Sequence, residues 1–216
     1  RLGRGASRRD FIIAERLGKA LDAGQLRLAY QPVVDARTGA TVFSEGLARL
    51  PTGSGRMTPA RSFVPIAERL GITFSLDSLA LDIAFKSLVD EPDKRIAVNV
   101  SAATVTDRRA IDRILATLKN RPEPASRLIF ESTETAAIKD LSSSINFADA
   151  VKSMGAQLAL DDFGSGNTSF MHLRALRPSI VKVDQSYVRD LRGDSDAALF
   201  VAAITQLATG LGAFTV

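Results

Sequence analysis

Carboxylates, one amide and one lysine recur where apolar runs come to an end. They are Glu45, Asn99, Glu131, the adjacent pair Asp161 and Asp162, and Lys182 followed by Asp184. Oxygen donors of this kind, with no cysteine and a single histidine (His172) in the chain, suit a hard divalent cation, Mg²⁺ or Mn²⁺. Two such ions can activate water and stabilise the leaving oxygen of a phosphoester. Asp161 and Asp162 could serve one ion each. Successive strand residues point to opposite faces, so a bend after Asp161 is needed for both to reach one site. Lys182 could position the attacking water or offset developing negative charge; it could equally be a buried lysine paired with Glu or Asp. Any one of these residues, taken alone, reads as well as a strand-end group that meets solvent or caps a helix. The recurrence over five separate segments is what points to a site.

Glu131-Ser-Thr-Glu134 holds two carboxylates three residues apart. At a strand exit Glu131 can face a metal, while Glu134 either reaches a neighbouring loop or sits in a first helical turn, where negative charge is favoured. The stretch Asp162-Phe-Gly-Ser-Gly-Asn-Thr-Ser169 is glycine-rich, and Gly164 and Gly166 permit positive φ and close backbone approach. Its Asp-Phe-Gly tripeptide is not accompanied by the other loops of a kinase. Coming directly after an acidic pair, it reads as a loop on the ligand side. His172, alone on a short helix, reads as a surface or packing residue.

Composition narrows the classes. The chain has 216 residues, 45% apolar and 24% charged, which excludes disorder, collagen and a long coiled coil. Without cysteine there are no disulfides, zinc–thiolate sites or thiol catalysis. The net charge of +4, from 28 basic and 24 acidic residues, is too mild to argue for DNA or RNA as a partner. Arg1, Arg4, Arg8 and Arg9 read as a solvated linker rather than a signal peptide or a phosphate-binding arm. The uncharged stretch from Leu199 to Val216 contains Gln206, Gly210 and Gly212, and fits a helix, a glycine stop and the start of a strand better than a membrane span.

The elements that must position these residues alternate. Helical spacing covers residues 10–23, stopped by Gly24, and strands follow at 26–34 and 41–50 around the turn 35–39. That turn is too short for a crossover helix, so these two strands pair antiparallel. Helix 59–70 is expected with Thr58 as N-cap and Pro59 at its first position, then helix 75–89, strand 95–101, helix 107–119 capped by Thr106, and strand 127–133. Helix 141–154, strand 157–162, a short helix near 168–176, strand 180–184, helix 195–209 and a strand from Ala213 complete the pattern. Seven strands alternating with helices imply an α/β fold with a mostly parallel sheet. A barrel is favoured over an open sheet, because no Rossmann or Walker loop follows the first strand. In a barrel the C-terminal strand ends share one mouth, where the polar series would gather. Residues 1–24 are expected to form a linker and helix, and 25–216 the barrel.

From about Leu26 to Val216 the chain resembles the EAL domain, the cyclic di-GMP phosphodiesterase family. The resemblance rests on Tyr30-Gln-Pro-Val-Val-Asp35, Glu45-Gly-Leu-Ala-Arg49, Phe63-Val-Pro-Ile-Ala-Glu68, Asn99-Val-Ser101, Glu131-Ser-Thr-Glu134, Asp161-Asp-Phe-Gly-Ser-Gly166 and Lys182-Val-Asp184. It implies a TIM-like (β/α)8 barrel with an antiparallel first strand, the last βα unit lying beyond Val216. It implies metal ligands at Glu45, Asn99, Glu131, Asp161 and Asp162, with two Mg²⁺ or Mn²⁺ ions, and a catalytic role for Lys182, Glu45 and Glu134. Lys182 would stand near the attacking water, and Glu134 would hold the loop after Asp162. Gln31, Leu47 and Arg49 would contact cyclic di-GMP, Arg49 through phosphate. The implied reaction gives linear pGpG. The implied setting is bacterial second-messenger signalling by a cytoplasmic domain, as a homodimer, fused to or regulated by sensory or GGDEF-type domains, in a parent protein that could be membrane-anchored. The chain departs from the family pattern with Gly46 in place of the usual alanine and Asn167 in place of the usual tyrosine. The family's later glutamate and glutamine fall after Val216, so residues 1–216 alone are expected to be inactive or nearly so. A non-catalytic cyclic di-GMP receptor acting through protein partners is the alternative; such receptors usually lose metal ligands, and none is lost here. An enolase-like barrel would need a second pair of basic residues on an early strand, which this chain lacks.

Overall fold

The computed structural model describes residues 7–52, 55–165, 170–189, 191 and 195–216. The chain folds as two units, Arg1–Thr104 and Val105–Val216.

In the first unit, α1 (Arg8–Asp22) begins at a capping box: Ser7 Oγ accepts from the Asp10 amide and Asp10 accepts from the Ser7 amide. It buries Ile13, Leu17 and Ala20. Strands β1 (Arg27–Val34) and β2 (Thr41–Pro51) pair antiparallel, as the short turn requires, with Gln31 opposite Glu45. The turn is held by Asp35 Oδ1, which accepts from the amides of Arg37 (3.0 Å) and Thr38 (2.7 Å), and by Gly39 at φ +72°. A third strand, β3 (Met57–Pro59), adds antiparallel to β2. The expected helix therefore does not start at Pro59. Thr58 lies in β3, where pairing with Leu50 takes precedence over capping, and a 3₁₀ turn leads into α2 (Val64–Leu70). Next come α3 (Thr73–Asp90), which buries Leu76, Ala80, Leu81, Ala84, Phe85 and Leu88, and β4 (Ile96–Asn99), parallel to β2 with Glu45 opposite Ala97. The core joins Leu17, Leu26, Leu50, Phe63 and Ala67, none more than 1% exposed. The short helix α4 (Ala102–Thr106) spans the chain boundary between the units.

In the second unit, α5 (Arg108–Asn120) is capped by Asp107, which accepts from the Arg109 and Ala110 amides. The expected cap, Thr106, instead ends α4. After α6 (Pro122–Ser126), β5 (Leu128–Thr133), β6 (Gln157–Phe163), β7 (Ile180–Val183) and β8 (Phe214–Thr215) pair parallel in chain order. Between them run α7 (Glu134–Lys139) and α8 (Leu141–Ser153), then α9 (Phe170–Leu176), then α10 (Gln185–Arg189) and α11 (Ser195–Gly210). Phe130 meets Phe147 edge to face at 5.4 Å. Leu160, Phe163, Leu173, Val181, Ile204 and Ala208 form the core beneath β6 and β7. The stretch after Leu199 is helix, glycine and strand, as read. Among the described residues no helix is long and apolar enough to cross a membrane.

Candidate functional site

In the first unit the residues gather along β2. Glu45 is half-buried, and its Oε1 accepts from Asn99 Nδ2 at 3.2 Å. Asn99 is the last residue of β4, two places beyond the partner of Glu45, so the strand register alone brings amide and carboxylate to one face. Gln31, directly across from Glu45, shares that face and is exposed. Leu47 and Arg49 follow by alternation and are half-buried. Arg49 Nη1 donates to the carbonyls of Leu47 (3.3 Å) and Ala48 (3.1 Å), which folds the guanidinium along its own strand. Gly46 points the other way. A Cβ there would stand 3.2 Å from the Ala97 carbonyl oxygen and 3.2 Å from Leu28 Cδ1, so the β2–β4 approach explains why glycine fits where alanine was expected.

In the second unit, Lys182 Nζ on β7 lies 2.9 Å from Glu131 Oε2 and 3.2 Å from Asp161 Oδ1. Glu131 is wholly buried in β5, and these two carboxylates offer oxygens within 4.8 Å of each other. The bend expected after Asp161 is present. The β6–β7 register shifts between Leu160 and Phe163, and Asp162 takes φ +53°, rare for a residue other than glycine. Asp162 is exposed.

Glu134 satisfies both readings made of it. It opens α7, and its buried Oε2 accepts from the Gly164 amide at 2.9 Å. Gly164 has φ +98°, and its carbonyl accepts from the Tyr187 hydroxyl at 2.8 Å, while the Tyr187 ring stacks on Phe200 at 4.8 Å. The loop after the acidic pair is thus gripped on both sides of one residue. Gly166 and Asn167 lie outside the described residues, as do Arg1 and Arg4. Asp184 follows the bland reading: it accepts from the Ser186 amide (2.8 Å) and hydroxyl at the start of α10, and these bonds hold its carboxyl below the usual range.

Two residues escaped the sequence. Tyr187 lies on a five-residue helix with no periodic signal. Asp77 lies on α3, where one acid among apolar residues reads as the solvent face. Its Oδ2 instead accepts from the Ser101 amide (2.8 Å) and the Thr104 hydroxyl (2.6 Å). Burial pushes the Asp77 carboxyl up, opposed by these bonds.

Glu131 with Asp161, and Glu45 with Asn99, fit a hard cation. All are oxygen donors, and an ammonium already lies close to the first pair, where positive charge is favoured.

A family model for the EAL domain matches residues 14–216. The chain is 35% identical over 198 residues to the bifunctional diguanylate cyclase/cyclic di-GMP phosphodiesterase MucR of Pseudomonas aeruginosa, covering 88% of this chain and 29% of that one. It is 32% identical over 213 residues to a cyclic di-GMP phosphodiesterase of the same organism, covering 96% and 36%. The chain thus spans about a third of these relatives' length. Among solved structures, the PaMucR phosphodiesterase in complex with c-di-GMP superposes with TM-score 0.85 at 31% identity, covering 94% of this chain and 85% of that one. The TIM-like α/β fold read from the sequence is the fold of these neighbours.

Proposed function

The chain belongs to the EAL domain family, and we propose that it hydrolyses one phosphodiester bond of cyclic di-GMP to give linear pGpG, using Mg²⁺ or Mn²⁺. The observation that carries this reading is the group of half-buried Lys182, wholly buried Glu131 and half-buried Asp161 on three neighbouring parallel strands, beside a bulge that turns out Asp162. In the reaction a water oxygen bonds to phosphorus, one P–O ester bond breaks, and the proton ends on the released ribose hydroxyl.

Glu45, Asn99, Glu131, Asp161 and Asp162 would hold the cations, which supply a water of lowered pKa and offset charge on the phosphoryl oxygens. Lys182 bridges the Glu131 and Asp161 carboxylates and offsets their mutual repulsion, and would offer an N–H toward the incoming water. Glu134 sets the loop backbone after Asp162 through the Gly164 amide. Gln31 and Leu47 would contact the dinucleotide beside Glu45, and Arg49 a phosphate, once its guanidinium leaves the β2 carbonyls. A homodimer, and regulation by sensory or GGDEF-type domains, belong to the same proposal.

The test is turnover of cyclic di-GMP by the natural protein, with product separated by chromatography. Turnover should need Mg²⁺ or Mn²⁺, stop with EDTA, and fall by about two orders of magnitude or more in Glu45→Ala. Tight binding of cyclic di-GMP without product, or turnover indifferent to EDTA, would overturn the proposal.

A further inference from the structure

The exit of β4 carries Asn99 and is tied to α3 by a single carboxylate oxygen. Asp77 Oδ2 receives both the Ser101 amide at 2.8 Å and the Thr104 hydroxyl at 2.6 Å. Ser101 Oγ in turn accepts from the Thr104 amide at 3.2 Å, so Asp77 seals a turn that is already closed upon itself. Thr104 is 1% exposed. The helix behind this oxygen is anchored, for Leu76, Ala80 and Leu81 on either side of Asp77 are buried.

A carboxylate at this place is costly. Among the described residues Asp77 has no ion pair, and burial and the nearby Glu68 both oppose its charge. The backbone it holds begins two residues after Asn99, whose amide reaches Glu45 at 3.2 Å.

We infer that Asp77 is a positioning residue: it fixes the Ser101 backbone, and through it the direction in which Asn99 presents its amide beside Glu45. The consequence for metal binding rests on the proposed function; the tether does not. Asparagine at position 77 keeps one acceptor oxygen that can receive both bonds, whereas alanine keeps none.

The experiment measures two quantities on the natural protein, hydrogen exchange at the Ser101 amide and Mn²⁺ affinity by titration. In Asp77→Ala the Ser101 amide should exchange at least about tenfold faster, and Mn²⁺ should bind about tenfold more weakly, within the range for lost outer-shell support. Asp77→Asn should keep both near the wild-type values. Unchanged Ser101 exchange in Asp77→Ala overturns the tether. Loosened Ser101 with unchanged Mn²⁺ affinity reduces Asp77 to a structural role and overturns the inference as a positioning claim. Should Asp77→Ala fail to fold, Thr104→Val removes one of the two donors, and an Mn²⁺ affinity equal to wild type then overturns it. Should Mn²⁺ binding be indifferent to Asn99→Ala, the proposed metal site fails instead, and Ser101 exchange still decides the tether.

Discussion

Lys182 has a structural duty and, in the proposed reaction, a catalytic one, and one substitution measured with and without metal separates them. Its ammonium meets a wholly buried Glu131 and the nearby Asp161. Removing it leaves like charges facing each other within 4.8 Å. Lys182→Met should lower unfolding free energy in metal-free buffer by about 3–5 kcal/mol, the scale of breaking a buried pair. Mn²⁺ should restore part of that, because a cation replaces the lost charge, while turnover stays down by about a hundredfold or more. Denaturant unfolding with and without Mn²⁺ measures both, and a variant as stable as wild type without metal would refute the pairing. Gly46→Ala tests packing rather than charge. Its new methyl would meet a backbone oxygen at 3.2 Å, and the Leu28 methyl at the same distance can swing aside. The expected loss is small, about 1 kcal/mol or less, with turnover kept. The candidate site could be read from the sequence because each oxygen donor interrupts an apolar run; Glu45, Asn99, Glu131 and Asp161 stand out that way. Asp77 does not, because an acid on an amphipathic helix is what the solvent face ordinarily shows.

At the scale of elements, the loop after β6 is held by two others. Glu134 at the start of α7 takes the Gly164 amide, and Tyr187 on α10 takes its carbonyl while stacking on Phe200 of α11. Tyr187→Phe deletes one hydrogen bond and keeps the stack, so it should cost about 1 kcal/mol. Gly164→Ala should cost more, since a Cβ would stand 3.0 Å from the Tyr187 ring at φ +98°. Thermal unfolding of the two variants checks the order; the reverse order would show that the loop is not seated on Tyr187. Helix α5 was legible because its apolar positions repeat over several turns, and α11 because its nearly continuous apolar run is too long for a strand. The helices α4, α6, α7 and α10, of five or six residues, give no period to read. Strand β3 was hidden for another reason: Thr58-Pro59 is a good helix start locally, and only pairing with distant Leu50 and Arg49 overrides it.

Across the whole molecule, acid stability follows from carboxylates that the fold shifts in opposite directions. Asp35 is held low by the Thr38 amide and hydroxyl, Asp140 at the start of α8 by the Ser143 amide and hydroxyl, and Asp184 by the Ser186 hydroxyl and amide. A depressed carboxyl stabilises the fold above its unfolded pKa, and that contribution is lost as pH falls through the folded value. These three therefore withdraw support below about pH 4, the unfolded range for Asp. Asp77 has the opposite sign. Burial raises its carboxyl, so its contribution is complete below the unfolded pKa and is lost as pH rises through the folded value. Melting temperatures from pH 3 to pH 7 should show an acid limb that Asp140→Asn flattens. The difference between Asp77→Asn and wild type should instead move in the variant's favour as pH rises above about 4. A difference constant across the whole range would mean that Asp77 has the same pKa folded and unfolded, its hydrogen bonds balancing burial, and a difference moving against the variant would mean that they outweigh it.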